Sequence, residues 1–351
     1  IIAGDGDVYN RESINRANTF YGAYAGTFGS TGGSGNSFFG YNVANNISTA
    51  YNNTFMGRDV CITTLTGNSN VSIGMSSSNQ LTSGGSNVAV GTEANYNLAS
   101  GNSNVAIGTG ALYSNTGNSN IVAVGHQALY ADGSPEESVA VGYQALRNQT
   151  GGRNHALGFY ALLDLTTGTY NTAVGGECLE NLTTGSFNTA VGTFNQRLQT
   201  DKSYNTSMGY QSLYNVANSN NTAIGAYSGW GITGGARNTA LGMQTMEANG
   251  MTGDDNTAVG HYALQACQGG QQNTAMGAYA GDAITTASSV VAIGYKAASS
   301  ITTESNNVAI GRTAMQVAAG GENNVGIGND ALEGVTSNNN TAVGTFSGRI
   351  V

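Results

Sequence analysis

The chain has 351 residues, of which 9% are charged, and a formal net charge of −9 with only 11 basic residues. Those basic residues are scattered, and a phosphate-tracking surface needs them clustered, which argues against nucleic-acid binding. No run of 18 apolar residues exists, which argues against membrane insertion as a spanning helix.

Residues 1–17 read as a connecting segment that starts at Ile1 without a signal-peptide pattern. Its Asp5 and Asp7 form either a solvated tail or a calcium site. From Asn18 onward a short string, typified by Asn171-Thr-Ala-Val-Gly175, recurs without a break. The closing glycine falls at Gly22, Gly40, Gly57 and Gly74, and so on to Gly344, which is 322 residues over 19 intervals and a period of about 17. A short period held this long predicts an all-β parallel β-solenoid of about twenty coils, a single repeat domain over 18–348. Residues 349–351 end it without a polar cap, which predicts continuation into a missing neighbour.

Within one repeat the apolar residue before the glycine, from Tyr21 to Val343, and the Thr or Val two residues earlier share one face of a strand. That pair is expected to point inward. The residue between them is Ala in 14 coils and Phe20, Phe38 and Phe55 in the first three, and is expected to face outward. Asn opens the motif in 17 of 20 coils. Past the glycine, a second short strand and a turn are expected, the turn using a glycine at positive φ three residues before the next Asn. An outward stripe of small residues exceeds what a lone chain tolerates, so the stripe predicts association of three chains through Phe20, Phe38, Phe55, Ala89, Ala106, Ala173, Ala190 and Ala258. Twenty coils at about 4.8 Å each predict a rod of roughly 95 Å.

The string Asn-[Thr/Val]-Ala-[Val/Ile]-Gly-x-x-Ala resembles the Hep/Hag repeat of trimeric autotransporter adhesin heads. Strings such as Asn171–Gly175 and Asn307–Gly311 are also similar to those of phage tail-fibre proteins. The resemblance covers almost the whole chain; the period of about 17 departs from about 14 in the adhesin heads, and no neck, stalk or anchor is recognisable. It implies a β-roll wound as a homotrimer, an extracellular place on a virion tail fibre or a cell-surface appendage, and attachment to a host-surface glycan or protein receptor. Other fibre or virion proteins are the further partners it implies.

Side chains for chemistry are sparse. His126, His155 and His261 are too far apart for a triad or a metal cluster, with His155 in the position expected to point inward. The pairs Glu136/Glu137 and Asp254/Asp255 are adjacent carboxylates that point apart, and Gly108/Gly110 and Gly326/Gly328 lack a following helix and a P-loop lysine. No catalytic residue, metal or cofactor is expected. Cys61, Cys178 and Cys267 are too distant to pair, and the first two read as core. Tyr227 and Trp230, with Tyr262 and Tyr279 at Tyr227's register, are the candidate glycan contacts; the plainer reading is an aromatic ladder that stabilises the stack. A non-enzymatic fibre is thus the leading expectation, with an ice-binding solenoid and a polysaccharide depolymerase as alternatives.

Overall fold

The structure, a computed structural model, describes residues 18–26, 33–131, 136–317 and 321–349. They form a parallel β-solenoid of about 18 turns with no helix, against about twenty coils expected. The chain divides into two compact units, 1–171 and 172–351. Within each, short parallel strands stack in unshifted register: Ala89 pairs with Ala106 and Ala106 with Ala123 in the first unit. In the second, Ala240 pairs with Ala258 and Ala258 with Ala275. Residues 1–17, including Asp5 and Asp7, and 350–351 lie outside the described residues.

The two faces of each strand are the reverse of the expectation. Phe38, Phe55, Ala89, Ala106, Ala173, Ala190 and Ala258 are fully enclosed by their own chain, and Phe20 nearly so. The flanking columns point out: Tyr21 is 57% exposed, Met208 52% and Val343 68%. His155 is likewise on the outer face, exposed. The reason is volume. The coil interior also receives the residue four past the glycine, which is a buried Leu at 112, 129, 146, 162, 179, 213 and 264. Only a small residue fits opposite a Leu: Ala in most coils, Ser207 opposite Leu213 and Gly326 opposite Leu332. In the first coils that position holds Gly26, Ala44 and Cys61, and the strand supplies Phe20, Phe38 and Phe55 in compensation, stacked at 5.0 and 5.1 Å. A methyl added to Gly26 would lie 2.5 Å from the Phe20 ring.

After the glycine no second strand forms among the described residues, apart from the pair Asn46–Ile47 with Thr64–Leu65 and a bridge between Ile232 and Met251. Instead, residues two and four past the glycine take positive φ, as at Gln127 (52°) and Leu129 (50°). This alternation turns successive N–H groups to opposite sides. Gln127 donates back to Thr109 O at 2.9 Å and Leu129 forward to Ala145 O at 3.0 Å. Coil-to-coil hydrogen bonding therefore continues where the strand ends, which keeps buried backbone groups paired.

The glycine three residues before Asn is also not where φ turns positive. Gly84, Gly101, Gly185, Gly253 and Gly270 keep ordinary φ. They are glycines because a Cβ would lie 1.9–2.4 Å from a carbonyl oxygen of the next coil. Positive φ falls instead on the residue before the Asn, such as Ser86 (59°) and Asp255 (60°).

The asparagine itself builds a buried ladder. Asn53 N–H donates to Asn36 Oδ1 at 2.9 Å, and Asn70 N–H to Asn53 Oδ1 at 2.9 Å, while each Nδ2 donates to a carbonyl fourteen residues on. The same pattern runs through Asn221, Asn238, Asn256 and Asn273 in the second unit. Ser138 breaks the ladder, and Gln149 fills in: its Nε2 donates to Ser138 Oγ at 3.0 Å and its Oε1 accepts from Asn154 Nδ2 at 3.1 Å.

Candidate functional site

The surface that follows from this geometry has two parts, an outer strand face and the columns beyond the glycine corner. On the strand face, side chains two residues apart in each rung form two parallel columns. One is Thr or Val, with Ser37 and His155; the other is Val, Ile, Leu or Met, with Tyr21 and Phe39. The chain has 31 Lys, Arg, Asp and Glu residues, and none stands in either column. Ile73, Ile107, Ile224 and Met276 are 37–47% exposed. Within each unit this uncharged face carries an apolar side chain on every rung, beside Thr or Val, which is more than the scattered apolar exposure of a single soluble chain.

The residues expected to form the association stripe are therefore not on the surface. A side chain enclosed by its own coil cannot meet another chain. This removes Phe20, Phe38, Phe55, Ala89, Ala106, Ala173, Ala190 and Ala258 from that role and puts their strand neighbours in it. The signal was present: large residues at 20, 38 and 55 coincide with small ones at 26, 44 and 61, which only a shared interior requires.

Beyond the corner, rings stack along the coils. Tyr96, Tyr113 and Tyr130 lie 5.0 and 4.9 Å apart and nearly parallel, and the Arg147 guanidinium covers Tyr130 at 5.7 Å. The candidates Tyr227, Trp230, Tyr262 and Tyr279 are all half-buried. Tyr262 and Tyr279 meet each other at 5.3 Å, and Lys296 lies 5.9 Å from Tyr279. Tyr227 meets Tyr210 edge-on at 5.4 Å. Trp230 stacks on Tyr214 instead, and a cleft of about 410 Å³ opens beside it.

The remaining polar groups serve the stack. Arg237 binds Asp255 and Asp254 at 2.6 and 3.3 Å, which brings these adjacent carboxylates onto one cation. The hydrogen bond and charge of that guanidinium hold Asp255 below the usual carboxylate range. Glu137 pairs with Arg153 at 3.0 Å. His126 stacks on Tyr143 at 5.3 Å, and His261 lies against Tyr262 at 3.9 Å with the ring planes tilted by 46°. Among the described residues no group of three His, Cys, Asp or Glu could hold a metal ion. Nor is any helix among them long and apolar enough to cross a membrane. All three cysteines are buried thiols, and burial pushes Cys61 and Cys178 up to about 12. No family model, curated protein or solved structure matches the chain.

Proposed function

We propose that this chain is a non-enzymatic fibre segment that assembles with two further copies through its outer strand face, and that the assembly attaches to a host surface. The single observation that carries the reading is the charge-free outer face with its apolar column, repeated rung after rung in a chain that places its 31 charged residues elsewhere. Burying two half-exposed side chains per rung removes apolar surface from water at about 25 cal/mol per Å². Because every rung repeats the same contact, that gain accumulates along the stack. The number three comes from the Hep/Hag resemblance, as does the choice between a shaft or receptor-binding part of a phage-type tail fibre and a bacterial adhesin head. Extracellular attachment follows from the same source, and three identical copies would multiply weak contacts by avidity.

Sedimentation equilibrium tests the assembly. A mass three times 35.6 kDa is expected, and a single 35.6 kDa species at micromolar protein would overturn it.

One observation favours a second reading. Seven successive rungs present Thr outward, from Thr172 through Thr274, beside a column of apolar side chains. An outward Thr array on a regular sheet is the geometry an ice-binding surface needs. That reading requires the face to be free, so thermal hysteresis from a monomer would favour it over the fibre.

A further inference from the structure

Trp230 is the only tryptophan in the chain. Its indole lies parallel to the Tyr214 ring, with centroids 6.2 Å apart and planes within 9°. One coil earlier, at the register of Tyr214, stands Arg197, whose guanidinium is held by Glu177 at 2.8 Å and Glu180 at 2.6 Å. The result is a fixed, flat aromatic platform.

Its far end carries no cation, in contrast to three other ring groups of the chain. Arg147 covers the last ring of the Tyr96–Tyr130 stack, Arg197 covers Phe194 at 5.3 Å, and Lys296 covers Tyr295 at 5.6 Å. The residue that follows Trp230 in register is Glu247. A carboxylate is repelled by the negative face of a ring, so it does not cap the indole. Beside it the chain carries Gly231 and Ala248, where the preceding coils carry Asn181, Leu198 and Asn215. These small residues open the cleft, which is lined by Gln211, Tyr227, Trp230, Glu247 and Ala248. Its volume of about 410 Å³ falls in the range of small-ligand sites, roughly 300–1,000 Å³.

The polar groups at the rim are preset. Glu247 accepts from Gln244 Nε2 at 3.1 and 3.3 Å and from Gln265 Nε2 at 3.1 Å, which fixes the carboxylate and leaves it further lone pairs. The Gln211 carboxamide makes no side-chain hydrogen bond among the described residues, so it can both donate and accept. No Lys or Arg lines the cleft.

We propose that this cleft binds a neutral pyranose sugar, its C–H face on Trp230 and its hydroxyls on Glu247 and Gln211; the assignment rests on the attachment role proposed above and names its ligand class. A flat platform with one carboxylate suits a sugar ring better than a quaternary ammonium, which is recognised by rings arranged around it. The carboxylate and the absence of any lining cation disfavour acidic sugars.

Because the chain has one tryptophan, its fluorescence reports on the cleft directly. Wild-type protein is titrated with methyl β-glucoside, methyl β-galactoside, methyl α-mannoside and methyl N-acetyl-β-glucosaminide, with glucuronate and tetramethylammonium as the competing classes. A saturable change with at least one neutral glycoside is expected, weakened at least tenfold by Glu247→Gln and by Tyr227→Ala and left in place by Tyr113→Ala. Saturation-transfer NMR from aromatic protons to the sugar checks the same contact without relying on emission. No response to any neutral glycoside, a response unchanged by both cleft variants, or preferential binding of glucuronate or tetramethylammonium would each overturn the proposal. The mass measured on the same samples separates the two readings: a trimer that ignores sugars defeats the cleft alone, and a monomer that binds them defeats the assembly alone.

Discussion

Each coil depends on a few positions where only one residue type satisfies the chemistry. Asn238 is the clearest. Its Oδ1 accepts from the backbone and side chain of Asn256 at 2.9 and 3.1 Å, and its Nδ2 donates to Gly253 O at 2.9 Å, all in the buried interior. Asn238→Ala strands a buried N–H and a carbonyl at about 1–3 kcal/mol each, so a loss of roughly 2–6 kcal/mol is expected in urea unfolding. Gly192 has φ of +134°, and a methyl there would sit 2.3 Å from Gly209 O. Gly192→Ala should cost roughly 3 kcal/mol or more, since backbone strain and a backbone clash act together. The cysteines give a chemical readout at this scale. Thiolate is the reactive form, and with Cys61 and Cys178 pushed up to about 12 by burial, native protein at pH 8 should ignore a thiol reagent. All three thiols should react once the chain is unfolded; fast labelling of the native state would contradict the packing described.

At the scale of the element, the strand is short and its faces do different work. Ala223 and Ile224 are neighbours in one strand, the first enclosed and the second 39% exposed. Ala223→Asp places a carboxylate in the coil interior and should abolish folding, whereas Ile224→Asp should leave far-ultraviolet circular dichroism unchanged. If the two variants behaved alike, the assignment of faces would be wrong. The aromatic columns act as a second stacking element. Tyr113 has a ring on each side, and aromatic pairs contribute about 0.5–1.5 kcal/mol apiece. Tyr113→Ala should therefore lower stability by roughly 1–3 kcal/mol, and Tyr96→Ala, at the end of the stack, by about half as much.

For the whole molecule, the decisive property is the charge-free outer face. In the proposed trimer, Ile224→Asp adds three carboxylates to a dry interface and should convert the assembly to monomer, read as a fall in sedimentation mass with the coil fold retained. An unchanged mass would move the interface elsewhere on the chain. The carboxylate pairs brought together by the coils are each held by an arginine, Glu177 and Glu180 by Arg197 and Asp254 and Asp255 by Arg237, so incubation with bacterial glycans is expected to release no reducing sugar, and release would favour a depolymerase.

Period, strand position and all-β class were legible in the chain alone, because a glycine recurring about every 17 residues beside an apolar residue is a local, repeated signal. The asparagine column was visible as a pattern, but its ladder of side-chain bonds was not. Which face points inward was decided only in three dimensions. A period of two makes the faces of a strand equivalent, and hydropathy favours Val and Ile over Ala for the interior. The leucine four residues past the glycine reverses that preference, because it fills the coil from the opposite wall and leaves room for a small side chain only. The open end of the Trp230 stack was hidden for the same reason. It depends on a carboxylate, an alanine and a glycine drawn from successive coils, which become neighbours only once the chain has wound.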